Sequence, residues 1–203
     1  MSVALFFLTW VVFLVSEFVI TKFPAWGTRE KRDRISSIIT FGLPALGLGL
    51  VGVSLAFAFP AVARGSHSEP DWYFRFVLGS ADIGVINVLG LALAWGAFPI
   101  RFAAKRALGK FYTINVAILQ DHQLIESGIY RYVRHPLYLG ILMFYIGLPL
   151  IISSVFGLLV VTLPATIGSF YRMRLEERAL VSRFGERYLA YAERTARLIP
   201  YVW

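Results

Sequence analysis

From Pro136 to Tyr171 the chain runs through 36 residues without a charged side chain. As one helix this stretch would be about 54 Å long at roughly 1.5 Å per residue, far beyond the ~30 Å hydrocarbon core of a bilayer. It is therefore expected to fold as two antiparallel helices, with a tight turn near Pro149, Ser153 and Ser154. Three further stretches have spanning length. Residues 2 to 21 are interrupted only by Glu17, Ile35 to Ala63 have Pro44 as a point of tilt or kink, and about Phe76 to Ile100 have Asp82 near their start. The expected fold is all-α: an integral membrane protein of about five transmembrane helices. Glu17 and Asp82 lie near segment ends, where a carboxylate reaches interfacial water.

At 58% hydrophobic residues and a mean hydropathy of +0.67, the chain exceeds the roughly 45–50% apolar content of soluble domains. It has no cysteine, which removes disulfides, thiolate nucleophiles and Cys-based metal centres together. Of its three histidines, His67 falls in a polar loop, and His122 and His135 lack the i, i+4 spacing of a helical metal pair, so no metal site is expected. The net charge of +8 is carried by segments beside the spans, the pattern of basic loops facing an anionic leaflet, and no nucleic-acid motif accompanies it.

Lys22, Arg29, Lys31, Arg32 and Arg34 follow the first span, and Arg101, Lys105, Arg106, Lys110, Arg131 and Arg134 separate the third from the fourth. The positive-inside rule puts both segments in the cytoplasm, with the N-terminus outside and the C-terminus inside. The N-terminal stretch lacks the basic n-region and cleavage site of a signal peptide and is read as a retained span.

After Tyr171, Leu175, Leu180, Phe184, Tyr188 and Tyr191 recur at helical spacing among charges, which predicts an amphipathic cytoplasmic helix continuing from the fifth span. Without a linker or repeat, residues 1–203 read as one domain: three spans in 1–100, and in 101–203 the part built around the hairpin 136–171. The stretch "GLGLVG", 47–52, spells a dinucleotide fingerprint, but in mid-span its small residues instead let helices approach closely.

The chemistry concentrates where the uncharged run begins and ends. Arg131, Arg134 and His135 crowd its entrance, and Arg172 is the first charge after it, on one helix face with Glu176. Anchoring at the interface accounts for Arg131. A guanidinium at the depth of Arg172 calls for an anionic partner, and its planar fork suits a carboxylate.

The stretch "GIYRYVRHPLYLG", the hairpin, then "RMRLEERAL" and "FGERYLAY", with "ALGKFY" before and "RLIP" after, resembles the isoprenylcysteine carboxyl methyltransferases and the broader group of membrane phospholipid methyltransferases. The likeness covers about Ala107 to Pro200. It implies an enzyme that takes S-adenosyl-L-methionine without a Rossmann domain and methylates a lipophilic or prenylated acceptor dissolved in membrane lipid. By this resemblance His122, Gln123, Leu124, Ile125, Tyr130, His135, Pro136, Leu137, Tyr138 and Glu176 would line the cofactor pocket. Gly140 would permit close helix approach, and Arg172 would hold an acceptor carboxylate. Asn115 and Gln120 are both candidates for one further polar contact. The residues leave open an N-methylating phospholipid enzyme, with Glu176 or His135 as base, and a membrane scaffold that binds no cofactor.

Overall fold

The computed structural model describes residues 2–21, 42–63, 84–112 and 123–200. Among the described residues five helices form the bundle: α1 (Ser2–Thr21), α2 (Leu43–Ala63), α3 (Val85–Leu108), α4 (Pro136–Ile151) and α5 (Val155–Phe184). A short α6 (Glu186–Glu193) follows. Among the described residues there is no strand, only an isolated parallel bridge between Val133 and Ala196. Two stretches, Val85–Phe111 and Val155–Phe184, are long and apolar enough to cross a membrane; Ala4–Val15, Leu43–Val53 and Pro136–Ile151 are shorter apolar helices. Val85, Ile86, Val88, Leu89 and Phe102 on α3, and Leu159, Leu163 and Ile167 on α5, are exposed apolar side chains, as on a lipid-facing surface. The protein is an all-α membrane protein. The basic first loop, His67, Asp82, Asn115, Gln120 and His122 lie outside the described residues, as do Lys22 and the stretch 35–41 of the second expected span.

The long uncharged run does fold back on itself. α4 ends at Ile151, Ser153 takes a left-handed φ of 52°, and the Ser154 hydroxyl accepts from the Gly157 amide at 2.9 Å to start α5. Asn87 on α3 holds this turn: its Nδ2 donates to Ile151 O and to Ser153 Oγ, both at 2.9 Å, while its Oδ1 accepts from the Gly84 amide at 2.8 Å.

In lipid there is little hydrophobic drive between helices, so contact depends on backbones coming close enough for dispersion. α3 and α4 meet through Gly90, Ala94 and Ala97 on one side and Gly140 and Gly147 on the other. A Cβ at Gly147 would stand 2.5 Å from Gly90 O and 2.6 Å from the Ala94 nitrogen. One at Gly140 would strike the Arg101 side chain, in keeping with the close approach expected there. Phe13 of α1 stacks on Phe144 of α4, centroids 3.6 Å apart, and Leu48, Val51, Val161 and Ala165 extend the same core to α2 and α5.

Three expectations change in detail. Hydropathy ends the third span at Ile100, yet α3 continues to Leu108. The reason is Arg101, 3% exposed, which lays its stem in the notch left by Gly140 and its guanidinium 4.9 Å from the centre of the Phe13 ring. The amphipathic tail is broken at Gly185, whose φ of 53° ends α5 and turns the chain into α6. Among the described residues, of the "GLGLVG" glycines only Gly47 meets a neighbouring helix, abutting the Val160 carbonyl in a π-helical stretch, Leu158–Thr162, of α5; no described atom lies within 4 Å of a Cβ at Gly49 or Gly52. Pro44 stands in the first turn of the described helix.

Gly147→Val should cost about 1–3 kcal/mol, since neither the Gly90 nor the Ala94 backbone can retreat. Gly49→Ala, with nothing within 4 Å of the new carbon, should stay within about 0.5 kcal/mol. Thermal unfolding of both variants in one detergent checks the contrast.

Candidate functional site

The polar junction sits where α4 begins and α5 leaves its apolar stretch. Pro136 opens α4, its missing amide costing nothing in a first turn. Just before it, residues 132–135 run beside 196–197: Arg134 N donates to Ala196 O at 2.8 Å, His135 N to Arg197 O at 3.1 Å, and Ala196 N to Tyr132 O at 3.1 Å. The chain after α6 thus returns to the hairpin entrance.

Glu177 is the electrostatic centre of that return. Its Oε1 accepts from His135 Nε2 at 3.1 Å and from Arg197 Nε at 3.0 Å, its Oε2 accepts from Arg197 Nη2 at 2.5 Å, and Arg134 Nε lies 3.5 Å from Oε1. Burial alone would raise this carboxyl, but the hydrogen bonds from His135 and Arg197 outweigh it and hold the group at about 2. Arg134 also donates from Nη1 to Ala192 O at 2.5 Å and to Thr195 O, closing the C-terminal end of α6. Arg134 is therefore bound to the tail; Arg131 is exposed, as an anchor would be.

A second layer lies one turn away. Tyr191 Oη donates to Tyr130 O at 2.7 Å; burial pushes this phenol up to about 12, so the donor keeps its proton at physiological pH. Leu124 packs on Tyr188 and Tyr191, with Leu180 and Phe184 around them. Glu126 takes Arg187 at 3.2 Å and Arg194, fastening the stretch before the hairpin to α6 and the turn after it.

Arg172 is 4% exposed, with its Nε 3.4 Å from the Tyr138 hydroxyl. Glu176 is the carboxylate facing the phenols of Tyr138 and Tyr130; burial, then Glu176, pushes the Tyr130 phenol well up. Tyr138 also meets the His135 ring edge to face, centroids 5.6 Å apart.

Of the residues expected to form the site, Tyr130, His135, Pro136, Tyr138, Arg172 and Glu176 converge on this junction. Leu124 is buried on the α6 side, Ile125 and Leu137 are half-buried, Gln123 is exposed, and His122 lies outside the described residues. His135 meets Glu177, the neighbour of Glu176 in "LEER". About 100° of helical rotation separates the two carboxylates and gives them different partners. Reading the sequence missed Glu177 and Arg197, although the acidic doublet and the arginine of "RLIP" were both visible. Among the described residues no group of three or more His, Asp or Glu side chains could hold a metal ion.

The family described as phospholipid methyltransferase matches residues 85–187. The protein-S-isoprenylcysteine O-methyltransferase A of Arabidopsis thaliana is 33% identical over 121 residues, 58% of this chain and 60% of that protein. The protein-S-isoprenylcysteine O-methyltransferase of Schizosaccharomyces pombe is 34% identical over 137 residues, 66% and 55%. The methanethiol S-methyltransferase of Pseudomonas deceptionensis is 31% identical over 138 residues, 64% and 49%. The matched stretch thus spans between about half and three fifths of these curated relatives.

Glu177→Gln should loosen the tail: amide hydrogen exchange across 194–200 should quicken about tenfold or more, the loss of charge-assisted hydrogen bonds worth about 1.5–3 kcal/mol. Because the folded carboxyl lies near 2 and the free one near 4.5, this contribution is complete above 4.5 and disappears as pH falls through 2. Protection of 194–200 in the native chain should follow that window, and in Glu177→Gln it should not.

Proposed function

Since the chain belongs to the phospholipid methyltransferase family, we propose that it is an S-adenosylmethionine-dependent membrane enzyme that methylates a lipophilic anionic acceptor, first of all an isoprenylcysteine-type carboxylate. The observation that carries this reading is Arg172, a buried guanidinium at the end of the apolar run, beside Tyr138 and one helical turn from Glu176. A lipid-tailed carboxylate brings its charge to that depth and its tail into the surrounding hydrocarbon.

The residues at the junction suit the cofactor. S-adenosylmethionine, when bound, supplies an electrophilic methyl group on a sulfonium cation. Tyr130 and Tyr138 offer buried aromatic surface and Glu176 a carboxylate, the complement of such a cation. Arg172 holds the acceptor's oxygens by its fork, with Tyr138 restricting the guanidinium. A carboxylate is already ionised at neutral pH, so no side chain has to remove a proton. What the chain contributes is alignment for in-line displacement and exclusion of water, where effective molarity lowers the barrier by several kcal/mol. His135, Glu177, Arg134 and Arg197 serve by holding the hairpin entrance against the tail.

The whole chain is read as one methyltransferase domain of five spans, with the N-terminus outside and the junction in the cytoplasm, consistent with the cations beside α3 and α4. The methanethiol S-methyltransferases among its relatives favour a second reading, a thiol acceptor. A free thiol near pKa 8.5 is mostly protonated at pH 7, so its methylation would accelerate with pH, whereas that of a carboxylate would not. An amine acceptor would need a base and would set its positive charge against Arg172.

With radiolabelled cofactor and membrane lipid extract, the label should enter a lipid as an alkali-labile ester; alkali-stable label would overturn the carboxylate reading. Arg172→Ala should lower kcat/KM for the acceptor about 100-fold or more, while affinity for S-adenosylhomocysteine changes less than about threefold. Glu176→Gln should weaken S-adenosylmethionine more than S-adenosylhomocysteine, because only the first carries the sulfonium charge. Calorimetry on the folded variants measures both affinities, and no binding of either cofactor form would favour the scaffold.

A further inference from the structure

The outward side of α5 continues past the end of the apolar run. Leu163, Ile167 and Tyr171 are 53%, 56% and 43% exposed, and Arg174, Arg178 and Val181 follow at steps of three or four residues, all exposed. The buried side chains of the helix, Ala165, Ser169, Arg172 and Met173, occupy the opposite side. Aliphatic residues, a tyrosine and then two guanidinium groups thus succeed one another in the order in which a leaflet presents acyl chains, glycerol region and headgroups.

Neither arginine has an ion-pair partner among the described residues. Glu176 belongs to the buried side with Tyr138 and Tyr130, and Glu177 is engaged by His135, Arg197 and Arg134. Two cations at i and i+4, their Cβ atoms about 6 Å apart, repel each other and weaken a helix unless an anion lies between them.

We propose that this face of α5 binds an anionic phospholipid, with its phosphate seated between Arg174 and Arg178 and an acyl chain along Leu163 and Ile167. The proposal is independent of the methyl-transfer reading, since it uses the side of α5 turned away from Arg172 and Glu176. Attraction of a basic side chain to an anionic headgroup is worth about fivefold in affinity for each cation.

The test uses the full chain, taken from bilayers of equal phosphatidylglycerol and phosphatidylcholine into mild detergent, with retained lipid counted by native mass spectrometry. The wild-type protein should retain phosphatidylglycerol over phosphatidylcholine by about tenfold or more. The double variant Arg174→Gln, Arg178→Gln should lose that preference, the double lysine variant should keep most of it, and Arg106→Gln, removing an exposed cation from α3, should leave it intact. Equal retention of the two lipids by the wild type, or undiminished preference in the folded double glutamine variant, would overturn the proposal. Should that variant not fold, salt titration of the wild type decides: the preference must fall as ionic strength rises from about 0.05 to 0.5 M, and an unchanged preference counts against the site.

Discussion

The ion pairs of one carboxylate, Glu177, tie the hairpin entrance of this membrane protein to its returning tail. Glu177 receives His135 and Arg134 from the hairpin entrance and Arg197 from the returning tail, groups 42, 43 and 20 residues away along the chain. The hydrogen bonds from His135 and Arg197 outweigh the burial that would otherwise protonate it, so it stays ionised where an isolated charge would be costly. With this centre in place, the chain around 132–135 can run beside 196–197, Arg134 can close the end of α6, and Tyr191 can reach Tyr130. The junction that gathers Arg172, Tyr138 and Glu176 rests on that arrangement.

Within the apolar part a different constraint governs. Helices surrounded by lipid gain little from contact unless their backbones come close, and the seam between α3 and α4 is built from Gly90, Ala94, Ala97, Gly140 and Gly147. The same closeness makes room for Arg101, whose stem fills the space a side chain at Gly140 would occupy and whose charge meets the Phe13 ring. Dispersion between close backbones therefore organises the bundle, and ion pairing organises its polar end. α5 joins the two regimes, packing Val161 and Ala165 into the core and presenting Arg172, Glu176 and Glu177 to the junction.

Much of this was legible from residue order. An uncharged run too long for one span forces a hairpin, and Ser153 and Ser154 stand at its turn. Main-chain bonds between 132–135 and 196–197 bring the chain after α6 back to the hairpin entrance, a pairing that residue spacing does not announce. Boundaries were less legible. Arg101 reads as the end of a span because hydropathy assigns a charge to water, yet a long side chain with a glycine notch and an aromatic ring beside it can stay inside. Gly185 could be seen in "FGERY", but residue spacing does not reveal that its backbone adopts positive φ and splits the helix.

The sequence by itself determined that the chain is helical and membrane-bound, that Pro136 to Tyr171 doubles back, and that Arg172 and Glu176 share a helix face. These follow from local quantities: the rise per residue, the period of the helix and the absence of charge. Only the tertiary structure decided which acid His135 meets, that Arg134 closes α6, and that Arg101 is interior. Adjacent glutamates differ by about 100° around a helix, and which of them faces a partner depends on how the neighbouring helix is rotated, a property of packing between segments distant in the chain.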